Sequence, residues 1–164
     1  MTAIERALDS DRSAIESLLV ANGLPLDGLE IALPTAVVAR GEGGVVGCAA
    51  FEPYGSVGLL RSVCVAAPLR GTGLGRKLVG ATEQLATAAG ISELFLLTET
   101  AETWFPSLGY VPAARASLPT SLKSSPEITS ACPDTAAVLH KRLQPNTSRS
   151  PDDTRLIMDE PAAE

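Results

Sequence analysis

The 164 residues predict an α+β domain, on three observations. The runs TAVVAR, VVGCAAFE and VGLLRSVCVA are separated by the short turns GEGG and PYGS, the pattern of an antiparallel meander. A glycine-rich loop from Arg70 to Arg76 then opens a stretch with helical apolar spacing, Leu74, Leu78, Ala81 and Leu85, which Gly90 is placed to stop. Finally ELFLLT, Glu93 to Thr98, is apolar enough for a strand covered on both faces.

The remaining elements follow in order. Thr2 to Leu8 reads as a short strand, and Asp9 or Ser10 can cap a helix whose apolar face is Ile15, Leu18 and Leu19 and which ends at Gly23. Leu24 to Pro34, punctuated by prolines, holds one short helix. AETWFPSLGY predicts another, which Pro106 confines to its first part or kinks. A strand over Tyr110 to Arg115, a Ser/Pro-rich connection and a last strand in TAAVLHKRL complete a domain spanning residues 1–143. Residues 144–164 are polar, acidic and proline-containing and read as a disordered tail; the alternative is that Leu156 to Met158 docks on the domain or on a partner.

Composition narrows the partners. A formal net charge of -6 and a pI near 4.8 argue against a nucleic-acid backbone, which needs a basic surface, so the local cluster Arg70, Arg76 and Lys77 suits a small anion better. At 45% hydrophobic residues and a mean hydropathy of +0.19, no apolar run approaches a membrane span, and the N-terminus lacks the basic start and apolar centre of a secretory signal. The expectation is a cytoplasmic protein. Cys48, Cys64 and Cys132 are odd in number and lack CxxC spacing, so they read as small buried apolar residues, with neither a disulfide framework nor a metal site indicated.

The loop carries most of the chemistry. Gly71, Gly73 and Gly75 stand where a strand gives way to a helix, whose first amide N–H groups and dipole attract anions, and glycine lacks the Cβ that would hold a phosphate off the backbone. The spacing excludes a Walker loop, because Lys77 is followed by Leu78, and a dinucleotide fingerprint, because the sixth position is Arg76. A purely structural turn remains an alternative.

Arg70, Gly73 and Gly75 do fit Arg-x-x-Gly-x-Gly, and here the chain resembles the GNAT acetyltransferases. The order of elements is similar too, as is AETWFPSLGY, with Ala101, Gly109 and Tyr110 in register with the family's AxxFYxxxGF segment; the resemblance covers Thr2 to Leu143. It implies the GNAT acyl-CoA N-acyltransferase fold, a central, mostly antiparallel mixed sheet flanked by helices. It also implies acetyl-CoA as co-substrate, with its pyrophosphate held by Arg70, Gly71, Thr72, Gly73, Leu74, Gly75 and Arg76. The thioester would enter a gap where the fourth and fifth strands splay, against the backbone of Val63, Cys64 and Val65. Phe105 lies on the same binding path, at the position where the family often has a tyrosine that protonates the leaving thiolate; phenylalanine has no proton to give. Homodimers are frequent in the family.

FEPYGSVGLLRSVCV, LFLLTETAETWFPSLGY and CPDTAAVLHKRL are further similar to small GNAT proteins associated with arsenic-resistance gene clusters, some of whose relatives acetylate glutamate-like amino acids and toxin analogues. The implied reaction is acetyl transfer to the primary amine of a small, amino-acid-like molecule. A protein N-terminus or lysine as acceptor, and an acetyl-CoA-binding sensor without turnover, stay open.

Among side chains, Glu52 and Glu99 are the candidate bases, each set against the reading of a solvated strand-end carboxylate. Arg61 interrupts an apolar strand, where an unpaired charge is costly. It either holds a substrate carboxylate, with Thr98 as a second contact, or pairs with an acid such as Glu52. A hairpin pairing Glu52 with Val57 would put Arg61, Val63 and Val65 on one face and Ser62 and Cys64 on the other. Cys48 would then lie opposite Arg61, away from Cys64 unless a bulge intervenes, which disfavours a thiolate cluster. His140, on the last strand, reads as structural or exposed.

Overall fold

The computed structural model describes residues 2–131 and 135–144; Cys132 and residues 145–164 of the expected tail lie outside them. Seven strands form one sheet in the order β1-β2-β3-β4-β5-β7-β6. These are β1 (Ala3–Arg6), β2 (Val37–Gly41), β3 (Gly44–Tyr54), β4 (Val57–Val65), β5 (Glu93–Thr98), β6 (Val111–Ala113) and β7 (Ala137–Arg142). Every pairing is antiparallel except β4 with β5. The α+β class and the mixed sheet are as the sequence predicts.

Three helices flank the sheet: α1 (Arg12–Ala21), α2 (Leu29–Ala32) and α3 (Leu74–Ala88). Strand alternation divides the core between two faces. On one, Val37, Ala39 and Ala49 pack on Leu74 and Leu78 of α3, and farther along Phe51, Leu60, Leu94 and Leu96 meet Val79 and Ala86. On the other, Val38, Cys48 and Cys64 pack under Ile15, Leu19 and Leu29 of α1 and α2. Leu118 and Leu122, from the long connection between β6 and β7, cover Leu59, Phe95 and Val138 on that same face.

Several expectations are corrected. Neither Asp9 nor Ser10 caps α1. The Asp11 carboxylate instead accepts the Leu8 N–H at 2.7 Å while taking both Nη groups of Arg40 at 2.8 and 2.6 Å, an anchor on a strand distant in sequence. Pro106 does not restrict a helix to the first part of AETWFPSLGY. A single 3-10 turn, Phe105–Leu108, contains it near its start, where a missing N–H has no consequence.

The β3–β4 hairpin is tighter than expected, with Tyr54 opposite Val57 and Glu52 opposite Leu59, because Gly55 supplies the left-handed backbone (φ 70°) of a short turn. The register then shifts between Cys48 and Ala50, where Ser62 (φ 60°) is the extra residue of a bulge. The bulge reverses the predicted facing. Val63 and Val65 pack toward α3, whereas Arg61 points to the face of α1 and α2, as Cys64 does, and Cys48 and Cys64 are directly opposite each other.

Candidate active site

The parallel pairing of β4 with β5 runs from Val57–Glu93 only to Leu59–Phe95. Beyond it the strands separate, and a cleft of about 770 Å³ opens between Leu60 to Val65 on one side and Leu96 to Thr98 on the other. The Ser62 bulge lies on the departing strand. Backbone groups there that would have continued the ladder face the cleft.

One end of the cleft is the loop between β4 and α3. Gly71 and Gly73 adopt φ of 79° and 89°, a conformation that penalises any residue with a Cβ, and Gly73 precedes the first residue of α3. Gly75 is needed for space: a Cβ there would sit 3.2 and 3.3 Å from ring atoms of Trp104. The helix dipole and the first N–H groups of α3 thus open onto a cleft wall formed by Gly71, Gly73, Gly75 and Arg76. Arg70 braces this wall, donating to the Val65 carbonyl at 3.3 Å and to the side-chain oxygen of Asn22 at the end of α1.

Most of the predicted residues line this cleft: Arg61, Val63, Cys64, Val65, Arg70, Gly71, Gly73, Gly75, Arg76, Thr98, Glu99 and Phe105. Thr72 and Leu74 do not. The Thr72 hydroxyl donates back to the Leu69 carbonyl at 2.6 Å, and the Leu74 side chain is buried in the core under α3.

Glu52 is not at the cleft. It is fully buried, and it accepts Arg61 Nη1 at 2.7 Å, the Tyr54 hydroxyl at 2.5 Å and the Ser125 hydroxyl at 2.7 Å. The solvated-carboxylate reading does not describe it, whereas Glu99 is exposed at the end of β5 and lines the cleft. Arg61 also donates to the carbonyls of Asp27 at 2.5 Å and Pro25 at 3.2 Å, so its guanidinium gathers the α1–α2 connection as well as β3.

Sequence reading missed Glu127, in the β6–β7 connection. Its Oε1 lies 3.4 Å from Arg61 Nε, and it lines the cleft while only 5% exposed. Burial pushes its carboxyl up to about 7, Arg61 opposing and Glu52 reinforcing the shift. No spacing in SSPEITS could have marked it, because only the tertiary path of that connection brings it to β4. Trp104 at the cleft mouth and residues 22–25 after α1 were likewise not anticipated.

Phe105 is buried edge-on to Trp104 and Tyr110, with ring centroids 4.8 and 5.6 Å away. The hydroxyls of both tyrosines are engaged elsewhere, that of Tyr54 with Glu52 and that of Tyr110 with Glu83 at 2.8 Å. His140 holds Glu93 at 2.5 Å and stacks on Phe95, a structural role. Among the described residues no group of three metal-ligating side chains gathers, and no helix is long and apolar enough to cross a membrane.

Residues 34–112 match the family described as Acetyltransferase (GNAT) domain. An amino-acid acetyltransferase of Ralstonia nicotianae is 39% identical over 84 residues, which is 50% of this chain but only 19% of that relative. N-acetylglutamate synthase from Neisseria gonorrhoeae, solved with coenzyme A and N-acetyl-glutamate, superposes with a TM-score of 0.75 at 24% identity, over 88% of this chain and 35% of the other. Rv2747 from Mycobacterium tuberculosis, in complex with CoA and NLQ, gives 0.69 at 22% identity over 87% and 99% of the two chains. This chain thus spans about a fifth and a third of the first two relatives' lengths. The splayed strands, the glycine loop between them and α3, and these matches agree on the fold: residues 34–112 match the GNAT acetyltransferase domain, and the chain has the GNAT fold.

Proposed function

We propose that this protein is a cytoplasmic N-acetyltransferase that moves the acetyl group of acetyl-CoA to the primary amine of a small amino-acid-like molecule. The observation that carries the reading is the opening between β4 and β5, which leads directly to the glycine loop at the start of α3. Pyrophosphate oxygens fit the N–H groups of that loop, with Arg70 and Arg76 beside them. The thioester carbonyl would lie against β4 near Val63 to Val65, where a backbone N–H stabilises the developing oxyanion. An amino-acid acceptor is supported by the amino-acid acetyltransferase and N-acetylglutamate synthase relatives. A glutamate-like toxin acceptor, as the likeness to arsenic-resistance GNAT proteins implies, belongs to the same chemical class.

Titration calorimetry of the protein with acetyl-CoA, alongside Gly75→Val, tests the first half. One-site binding that the variant loses supports it, and absence of binding by the unmodified protein would end it. Thiol release from acetyl-CoA with L-glutamate, other α-amino acids, phosphinothricin and short peptides tests the second half. Phe105, which has no hydroxyl, favours one rival, a sensor that binds acetyl-CoA without turnover. Acetylation of any amine removes that rival, whereas acetylation confined to peptides moves the acceptor to proteins.

A further inference from the structure

Two carboxylates share one guanidinium at the inner wall of the cleft. Arg61, from β4, donates Nη1 to Glu52 of β3, while its Nε donates to the Ser62 hydroxyl at 3.2 Å and lies 3.4 Å from Glu127 Oε1 of the β6–β7 connection. The two acids are not equivalent. Glu52 is sealed from solvent and accepts hydrogen bonds from Arg61, Tyr54 and Ser125, so its charge is spent inside the protein. Glu127 has the longer contact, 3.4 Å, and lines the cleft. From the α1–α2 connection the carbonyl oxygens of Pro25 and Asp27 accept from the same guanidinium. Glu99 also lines the cleft, but from the exposed end of β5.

We propose that Glu127 is the general base of the site, taking a proton from the acceptor's ammonium group inside the cleft. The inference rests on the acetyl-transfer reading above. Glu52 and Arg61 are positioning residues in it: Arg61 aims the Glu127 carboxylate, and Glu52 balances the arginine so that Glu127 is not locked into a tight ion pair. Burial, which pushes Glu127 up to about 7, makes it a far better proton acceptor near neutral pH than an ordinary carboxylate.

The step balances as follows. Glu127 takes one proton from the ammonium, and the lone pair released forms the C–N bond at the thioester carbonyl carbon. When the tetrahedral intermediate collapses, the C–S bond breaks and the thiolate takes the second proton from the attacking nitrogen, directly or through water. Glu127 returns its proton to solvent. An ammonium and a thioester thus become an amide, a thiol and one proton, without the tyrosine that Phe105 replaces.

The test compares wild type, Glu127→Gln and Glu127→Asp, with L-glutamate and glycine as ionised probe acceptors and methoxyamine as one that is already neutral near pH 7. Acetyl-CoA titration of each variant checks that the fold and the cofactor loop are intact. Glu127→Gln is expected to bind acetyl-CoA as wild type does and to lose about 10²–10⁴-fold in kcat with the ionised amines, but roughly tenfold or less with methoxyamine. Glu127→Asp should recover part of the loss. Wild-type kcat should fall on the acid side with an apparent pKa near 7 for the ionised acceptors and stay flat for methoxyamine, a readout that needs no variant.

Equal losses with both kinds of acceptor, an unchanged kcat in Glu127→Gln, or the same wild-type pH profile for both acceptors would overturn the assignment of Glu127. Failure of the wild type to bind acetyl-CoA, or to acetylate any of the probes, would instead overturn the acetyl-transfer reading beneath it.

Discussion

Arg61 Nη1 donates to Glu52 Oε2 at 2.7 Å, and neither side chain has any solvent exposure. This pair explains a charged residue in the middle of an otherwise apolar strand. It also ties β3 and β4 to the two connections that border the cleft, through Pro25 and Asp27 on one side and Ser125 and Glu127 on the other.

Removing either partner leaves the other buried with one fewer contact. Arg61→Ala is expected to lower stability by about 3–5 kcal/mol, because it leaves the Glu52 carboxylate buried without its counter-ion, and Glu52→Ala by less, because Arg61 keeps its longer contact with Glu127. Glu52→Met combined with Arg61→Leu should recover much of that loss in urea denaturation. Full additivity of the two single losses would show that the pair is not coupled.

Glycines in and after the loop should respond oppositely. Gly73→Ala forces a Cβ into the left-handed region and is expected to destabilise by about 1–2 kcal/mol while weakening acetyl-CoA binding. Gly80→Ala, in the interior of α3 with nothing within 4 Å of the added Cβ, should stabilise by about 1 kcal/mol and leave binding unchanged. Thermal melts with and without acetyl-CoA distinguish the two.

The contact between Gly75 and Trp104 gives a sharper test of the cleft mouth. Gly75→Ala places its methyl 3.2 Å from the Trp104 ring and should weaken acetyl-CoA binding; adding Trp104→Ala removes the obstacle and should restore part of it. No recovery in the double variant would mean that Gly75 matters for the loop's own backbone instead.

Two carboxyls shape the pH dependence of stability in opposite directions. Hydrogen bonds from Arg40 hold Asp11 below its ordinary 3.8, so its contribution is present above that pH and lost as the pH falls through the lowered value. Glu127 is raised from 4.5 to about 7, so the folded state binds the extra proton and stability declines as the pH rises across that interval. Urea midpoints measured against pH should flatten on the acid side in Asp11→Asn, and lose the decline from 4.5 to 7 in Glu127→Gln.

The facing thiols should be inert. Burial pushes Cys48 up to about 12, with Cys64 reinforcing, and pushes Cys64 itself upward, so neither presents thiolate near neutral pH. In a Cys132→Ser background, a disulfide reagent should modify them only after denaturant is added.

Local patterns determined the succession of elements, the glycine loop and the fold, because each rests on neighbours in the chain: alternation in VVGCAAFE, the four-three-four spacing from Leu74, and glycines at Gly71 and Gly73 whose positive φ a strand-to-helix turn demands. What alternation could not reveal was the single extra residue at Ser62, which reversed the facing of everything after it, put Cys64 opposite Cys48 and left Arg61 on the face of the α1–α2 connection. Nor could it reveal that Glu52 is consumed by Arg61 while Glu127, 66 positions after Arg61 in the chain, reaches the same guanidinium. Those choices depend on how buried charge is shared among elements distant in sequence. Desolvation enforces that sharing only once the sheet and its two covering connections have closed around it.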